Sequence, residues 1–286
     1  ATGAIQCRFR YISEQDLAGR TEFKISGGKT KSREVECGAF TADDRYLVLG
    51  GNLNGVKIFD LDDGSLVRHI PVEEEVDGLA ISPDGRFFAH AAPRSAQVRS
   101  GRDWEPLARV WHGDGRQVIN SVDFTTGADL MVSGGNYGHV ILTRTADWQQ
   151  AGDGMLAKTS SIKSVRFSPD ARLIAAGYGG ADCVGVFHTK DASLATHLPL
   201  FYIEAVAWTN DSRFLMAGGR DEQGCLRVFR SSDWQLVGYP EVQADRSNVE
   251  YIDVHDDLVA VAGEDAHVRL FRISIADTSP QKKGPP

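Results

Sequence analysis

The sequence is short of nearly everything that marks a local chemical site. Cysteine occurs four times in 286 residues, at Cys7, Cys37, Cys183 and Cys225, and never as a C-x-x-C pair. That usage excludes a zinc ribbon and a disulfide-dense scaffold, and it points to reduced thiols in a cytoplasmic compartment. No apolar run approaches the length of a membrane-crossing helix, so no membrane contact is expected. Basic residues are outnumbered 31 to 39, for a net charge of −8, and they are scattered, which places nucleic acid outside the expected partners. There is no G-x-S-x-G elbow, no H-E-x-x-H and no G-x-x-x-x-G-K, so the contiguous signatures of hydrolases, zinc proteases and phosphate-binding loops are missing. An active site assembled from several distant loops would leave no such signature, and that class stays open.

What the chain has instead is repetition. An apolar run, a polar turn, a second apolar run and a third that ends in an aromatic return about every 42 residues. The last apolar residues before the turns are Phe40, Ile81, Phe124, Phe167, Trp208 and Val254, at intervals of 41, 43, 43, 41 and 46. The turns read Thr41-Ala42-Asp43-Asp44, Ser82-Pro83-Asp84-Gly85, Thr125-Thr126-Gly127-Ala128, Ser168-Pro169-Asp170-Ala171, Thr209-Asn210-Asp211-Ser212 and His255-Asp256-Asp257. Pro presets φ, Asp and Asn bond back to the chain and Gly tolerates positive φ, so these predict hairpin connections. Gly50-Gly51, Gly134-Gly135, Gly177, Gly218-Gly219 and Gly263 close the second runs and read as turn glycines. The third runs alternate with period two, as in Val56-Lys57-Ile58-Phe59 and Leu226-Arg227-Val228-Phe229. A weaker fourth run opens after Asp63-Gly64, Asp103-Trp104, Asp147-Trp148 and Asp233-Trp234. Three Asp-Trp pairs at one repeat position predict an architectural role, with Asp holding the turn and the indole capping the unit.

Four short antiparallel strands in about 42 residues make the blade of a β-propeller. On these units the chain resembles a divergent WD-repeat β-propeller over roughly residues 33 to 273, with YVTN-type and lactonase-like propellers as more distant relatives. The family's Trp-Asp at the end of the third strand stands here as Phe59-Asp60, Phe187-His188, Phe229-Arg230 and Phe271-Arg272, and its Gly-His before the first strand is absent.

The repeat gives an all-β fold of six four-stranded antiparallel blades, near 33–72, 74–110, 117–157, 160–199, 201–240 and 247–273. The last unit lacks a fourth strand, whereas the N-terminus begins mid-unit: Gly3 to Arg10 resembles Gly224 to Arg230, and Thr21 to Ile25 reads as a following strand. An open blade would leave a strand edge unpaired, so residues 5–25 are expected to complete the terminal blade of a single domain spanning 1–273. Seven blades are the alternative, and 274–286 reads as a flexible tail. Beginning on Ala1 fits either a processed terminus or a piece of a larger protein.

Aligning the repeats exposes one polar column. The second position of each first strand holds Glu36, Asp77, Asn120, Lys163, Glu204 and Glu250, each behind an apolar residue. Innermost strands converge on the ring axis, so these six side chains should ring one mouth of the central channel. Loops on the same face add Tyr137, Asp221 and Glu264, with Tyr202 and Trp111 as aromatic contact area and His139 and His267 at equivalent positions three units apart, across the channel and so not expected to pair directly.

The expected function is a WD-repeat-like interaction scaffold, a monomeric domain whose acidic mouth binds a protein or peptide rich in basic residues. One alternative is a lactonase- or hydrolase-type enzyme with Ca²⁺ held by Glu36, Asn120, Glu204 and Glu250, because oxygen ligands suit a hard cation. The other is an accessory propeller of a larger protein.

Overall fold

The computed structural model describes residues 6–11, 35–52, 55–72, 75–112, 117–156, 159–180, 183–220, 226–238, 248–263 and 268–276. These form a six-bladed propeller of four-stranded antiparallel sheets. Blade one runs from its inner strand β2 (Val35–Phe40) through β3 (Tyr46–Gly51) and β4 (Gly55–Asp60) to the outer strand β5 (Leu66–Pro71). Blade two holds β6 (Leu79–Ile81), β7 (Phe87–Ala92), β8 (Ser95–Ser100) and β9 (Pro106–Trp111). Blade three holds β10 (Ile119–Phe124), β11 (Leu130–Gly135), β12 (His139–Arg144) and a short β13 (Met155–Leu156). Blade four holds β14 (Ile162–Phe167), β15 (Leu173–Tyr178), β16 (Val184–His188) and β17 (Leu194–Leu198). Blade five holds β18 (Ile203–Trp208), β19 (Phe214–Gly219), β20 (Leu226–Arg230) and β21 (Leu236–Gly238). Blade six holds β22 (Val249–His255), β23 (Leu258–Gly263) and β24 (Val268–Ala276), and its outer strand is β1 (Gln6–Tyr11).

The ring therefore closes as expected, by the N-terminal strand and with six blades rather than seven. β1 pairs antiparallel with β24 from Gln6↔Ala276 to Tyr11↔Phe271. That pairing carries β24 to Ala276, three residues beyond the blade end expected at 273, because β1 supplies hydrogen-bond partners there. Residues 12–25 and the remainder of the tail lie outside the described residues.

The turns after the inner strands share one mechanism. In blade one the Thr41 hydroxyl donates to Asp43 Oδ1 at 2.6 Å and accepts the Tyr46 amide at 3.0 Å. Ser82, Ser168 and Thr209 repeat this with Asp84, Asp170 and Asp211. In blade three Gly127 replaces that Asp, and Thr125 turns to Asp129 instead. The fourth turn residue takes positive φ in five copies, at Asp44, Gly85, Ala128, Ala171 and Ser212, and in the shortened sixth turn Asp256 does so. A non-glycine residue there costs about 1–2 kcal/mol, and two side-chain hydrogen bonds per turn at about 1 kcal/mol each offset it.

Adjacent blades share apolar joints. Val48, Val56, Ile58, Val76, Leu79 and Phe88 fill the first, and similar clusters fill the next four. The glycines that close the second strands lie in these joints. A Cβ on Gly177 would stand 2.6 Å from Ile203 Cγ2 of the next blade, and one on Gly218 2.4 Å from Val249 Cγ1. The reading of these residues as turn glycines is corrected here: they lie within the second strands, and Gly50, Gly134, Gly177 and Gly218 admit the next blade's inner segment. At the sixth joint the Tyr251 hydroxyl donates to the Glu36 carbonyl, tying blade six to blade one.

Candidate functional site

Five of the six inner strands carry a register shift at the polar column. The pairing skips one residue between Val35 and Cys37, Ile119 and Ser121, Ile162 and Ser164, Ile203 and Ala205, and Val249 and Tyr251. The skipped residues are Glu36, Asn120, Lys163, Glu204 and Glu250. An extra residue in a strand leaves the ladder and re-aims its side chain, so the strand's own irregularity turns each polar group toward the axis. Asp77 occupies the same position just ahead of β6. All six line one cavity of about 720 Å³ to which every blade contributes.

The cavity is strongly acidic. Glu75 adds a fifth carboxylate to Glu36, Asp77, Glu204 and Glu250, against the two cations Lys163 and Arg220. Lys163 Nζ lies 3.9 Å from Glu204 Oε2. Burial raises the Asp77 carboxyl, and the neighbouring Glu75 raises it further against an opposing pull from Lys163. Burial is also the first cause that lifts the Cys37 thiol to about 12, followed by the charges of Asp77 and Glu36. The Tyr251 phenol is raised by burial and then by Cys37, Glu36, Glu250 and Asp77. Three groups of different chemistry thus register the same negative field.

Three carboxylates meet closely on one side of this mouth. Glu36, Glu75 and Asp77 place ligand atoms within 4.8 Å of one another. Asn120 instead donates its amide to the Ile162 carbonyl at 2.7 Å and to Ser161 Oγ at 3.0 Å, tying blade three to blade four. Tyr251 escaped the sequence reading because it stands beside the aligned column rather than in it. Asp221 and Glu264 lie outside the described residues, as does His267.

Residues 154–184 match the family model for the WD domain, G-beta repeat. The match runs from the outer strand of blade three through two strands of blade four to the start of its third, so the sequence repeat straddles two structural blades. This match and the six four-stranded blades together support a WD-repeat β-propeller. No curated protein matches it at a significant level. WD-repeat propellers typically bind protein partners, and repeat and fold support a protein-interaction role in that general sense. Among its described residues no helix is long and apolar enough to cross a membrane.

The propeller's loop aromatics separate into different places. Tyr137 stands on the mouth face, 66% exposed, with a left-handed φ of 73°. Tyr202 packs its ring under the Arg220 guanidinium, 5.4 Å from the centroid, beside the cavity that Arg220 lines. Trp111 does not join them and lines a separate cleft at the outer rim. His139 opens β12 and its charge bears on His112, which is buried with its Nε2 2.7 Å from Ser133 Oγ.

The Asp-Trp pairs do what their repetition suggested. Asp103, Asp147 and Asp233 each accept the backbone amide two residues on, and each following Trp has positive φ. Trp104 packs edge-on against Tyr46 of blade one, and Trp148 against Phe87 of blade two at 5.0 Å. The indoles wedge the outer ends of the joints.

Proposed function

We propose that the WD-repeat propeller binds a basic segment of a protein partner at the acidic axial mouth. The observation that carries the reading is the convergence of five carboxylates and two cations on one cavity fed by all six blades. Such a field steers a positively charged peptide and holds its ammonium or guanidinium groups, while Tyr137 offers aromatic contact area beside it. A hepta-lysine peptide titrated into the full chain tests this, with hepta-glutamate as the counter-probe. Binding of the basic peptide should weaken several-fold between low and high salt and fall at least about tenfold in Glu250→Lys. An affinity indifferent to both changes would remove the reading.

A second reading is a divalent cation on Glu36, Glu75 and Asp77, favoured by the closeness of their oxygens. Thermal melts in Ca²⁺ and in EDTA decide it, since a bound ion stabilises the fold by mass action. No shift in either condition would eliminate it.

A further inference from the structure

A second cavity carries the opposite charge. Between blades one and two a cleft of about 590 Å³ opens at the outer rim. Among the described residues its charged lining is Arg94, Arg99 and Arg109, with no carboxylate, in a chain whose net charge is −8. Antiparallel register explains the convergence. Gln97 pairs with Arg109 and Ser95 with Trp111 across β8 and β9, and Arg99 stands two residues from Gln97, so all share one face of the sheet. Arg94 projects from the turn between β7 and β8 with a left-handed φ of 83°. Neither Arg94 nor Arg109 has an ion-pair partner among the described residues. Glu105, whose charge reaches Arg99, is held by Arg68 at 3.0 Å.

The inner end of this face supplies an independent observation. His90 pairs with Gln97 across β7 and β8, which puts it on the same face one strand further in. It is wholly buried, yet neither ring nitrogen has a hydrogen-bond partner among the described residues. Arg99 donates through Nη1 to the Trp104 carbonyl at 3.0 Å, while its buried Nε has no acceptor. Unpaired buried polar atoms cost about 1–3 kcal/mol each. The repeat does not impose them: the equivalent second-strand residues are Leu49, Ala176, Ala217 and Val261, and the one other polar copy, Ser133, is paired with His112.

We infer that this cleft binds a phosphomonoester dianion. Three guanidinium groups converging on one pocket exceed what a single carboxylate can neutralise, and their planar forks match a tetrahedral oxyanion. Arg99 and Arg109 grip phosphate oxygens, Arg94 closes the rim, and Ser95 and Gln97 add neutral donors. Trp111, 48% exposed, and Pro71 form an apolar wall for the group that carries the phosphate. The cleft and the axial cavity share no lining residue, so this inference stands or falls apart from the one above.

Calorimetric titration of the full chain with phenyl phosphate, O-phosphoserine and inorganic phosphate, at constant ionic strength, tests it. Phenyl phosphate should bind saturably, and Arg109→Ala should weaken it about tenfold or more. Arg109→Lys should still weaken it, because the charge remains and the fork is lost. Lys190→Ala, an exposed cation in the hairpin between β16 and β17, should change nothing. Saturation should also shift the ring resonances of His90. Arg109 is exposed on an outer strand, so its replacement leaves the core untouched. No saturable heat with any phosphomonoester, or equal affinity in Arg109→Ala and the parent, would overturn the inference.

Discussion

His90 and His112 are both fully removed from water, and the fold keeps both neutral. Burial, followed by the charges of Arg99 and Arg109, pushes His90 down to about 3, and burial followed by His139 pushes His112 down to about 4. An unfolded chain takes up a proton on each near 6.5, so below that pH the unfolded state binds more protons than the folded one. Stability is therefore whole above pH 6.5 and falls as pH drops toward 4, by up to about 1.4 kcal/mol per pH unit for each histidine. Urea unfolding at pH 7 and pH 5 should show this slope, and His90→Leu should flatten it by roughly half. An unchanged slope in that variant would mean that His90 carries its proton in the fold. The turn aspartates act lower on the scale. Asp43, held below the ordinary 3.8 by the Thr41 hydroxyl, and Asp147, held there by Arg144, contribute above that value and lose their contribution as pH falls through their folded pKa.

Blade joints set the energetics at the scale of the element. The close approach at Gly177 leaves no space for a methyl group, since Ile203 Cγ2 would lie 2.6 Å away. Gly177→Ala should cost about 1–3 kcal/mol in chemical unfolding, the range for forced overpacking. Gly127→Ala, where the nearest atom would lie 3.5 Å off, should stay within about 0.5 kcal/mol. Equal effects at the two positions would refute the packing role. The blades themselves were legible in the sequence, because Thr/Ser-x-Asp turns and period-two runs are local signals. The Asp-Trp hairpins were legible for the same reason. The joint glycines were not, because the atoms that exclude a Cβ belong to a segment about 26 residues downstream of Gly177. The polar column could be aligned from sequence, but the bulges that aim it at the axis appear only in the strand register.

At the scale of the whole molecule, closure depends on one borrowed strand. β1 covers the edge of β24 through six residue pairs. Removing residues 1–11 should expose that edge, lower the melting temperature and produce concentration-dependent association, visible by light scattering. A truncated chain that stayed monodisperse with an unchanged melting temperature would show that the edge is protected otherwise. Closure also makes the site, because a cavity fed by six inner strands exists only once the first and last blades meet at Tyr251 and Glu36. The two charged cavities are then a consequence of ring geometry, one gathering carboxylates at the axis and the other arginines at a rim joint.

The sequence alone determined the repeat, the chemistry of the turns and the identity of the polar column. These follow from interactions within a few residues of one another, which a linear pattern records. Only the tertiary structure decided that Glu75 joins Glu36 and Asp77, that Asn120 is taken up in a joint, and that His90, Gln97 and Arg109 share one face. Each of those outcomes depends on strand register and blade contact, where a shift of one residue would turn the same side chain to the opposite face.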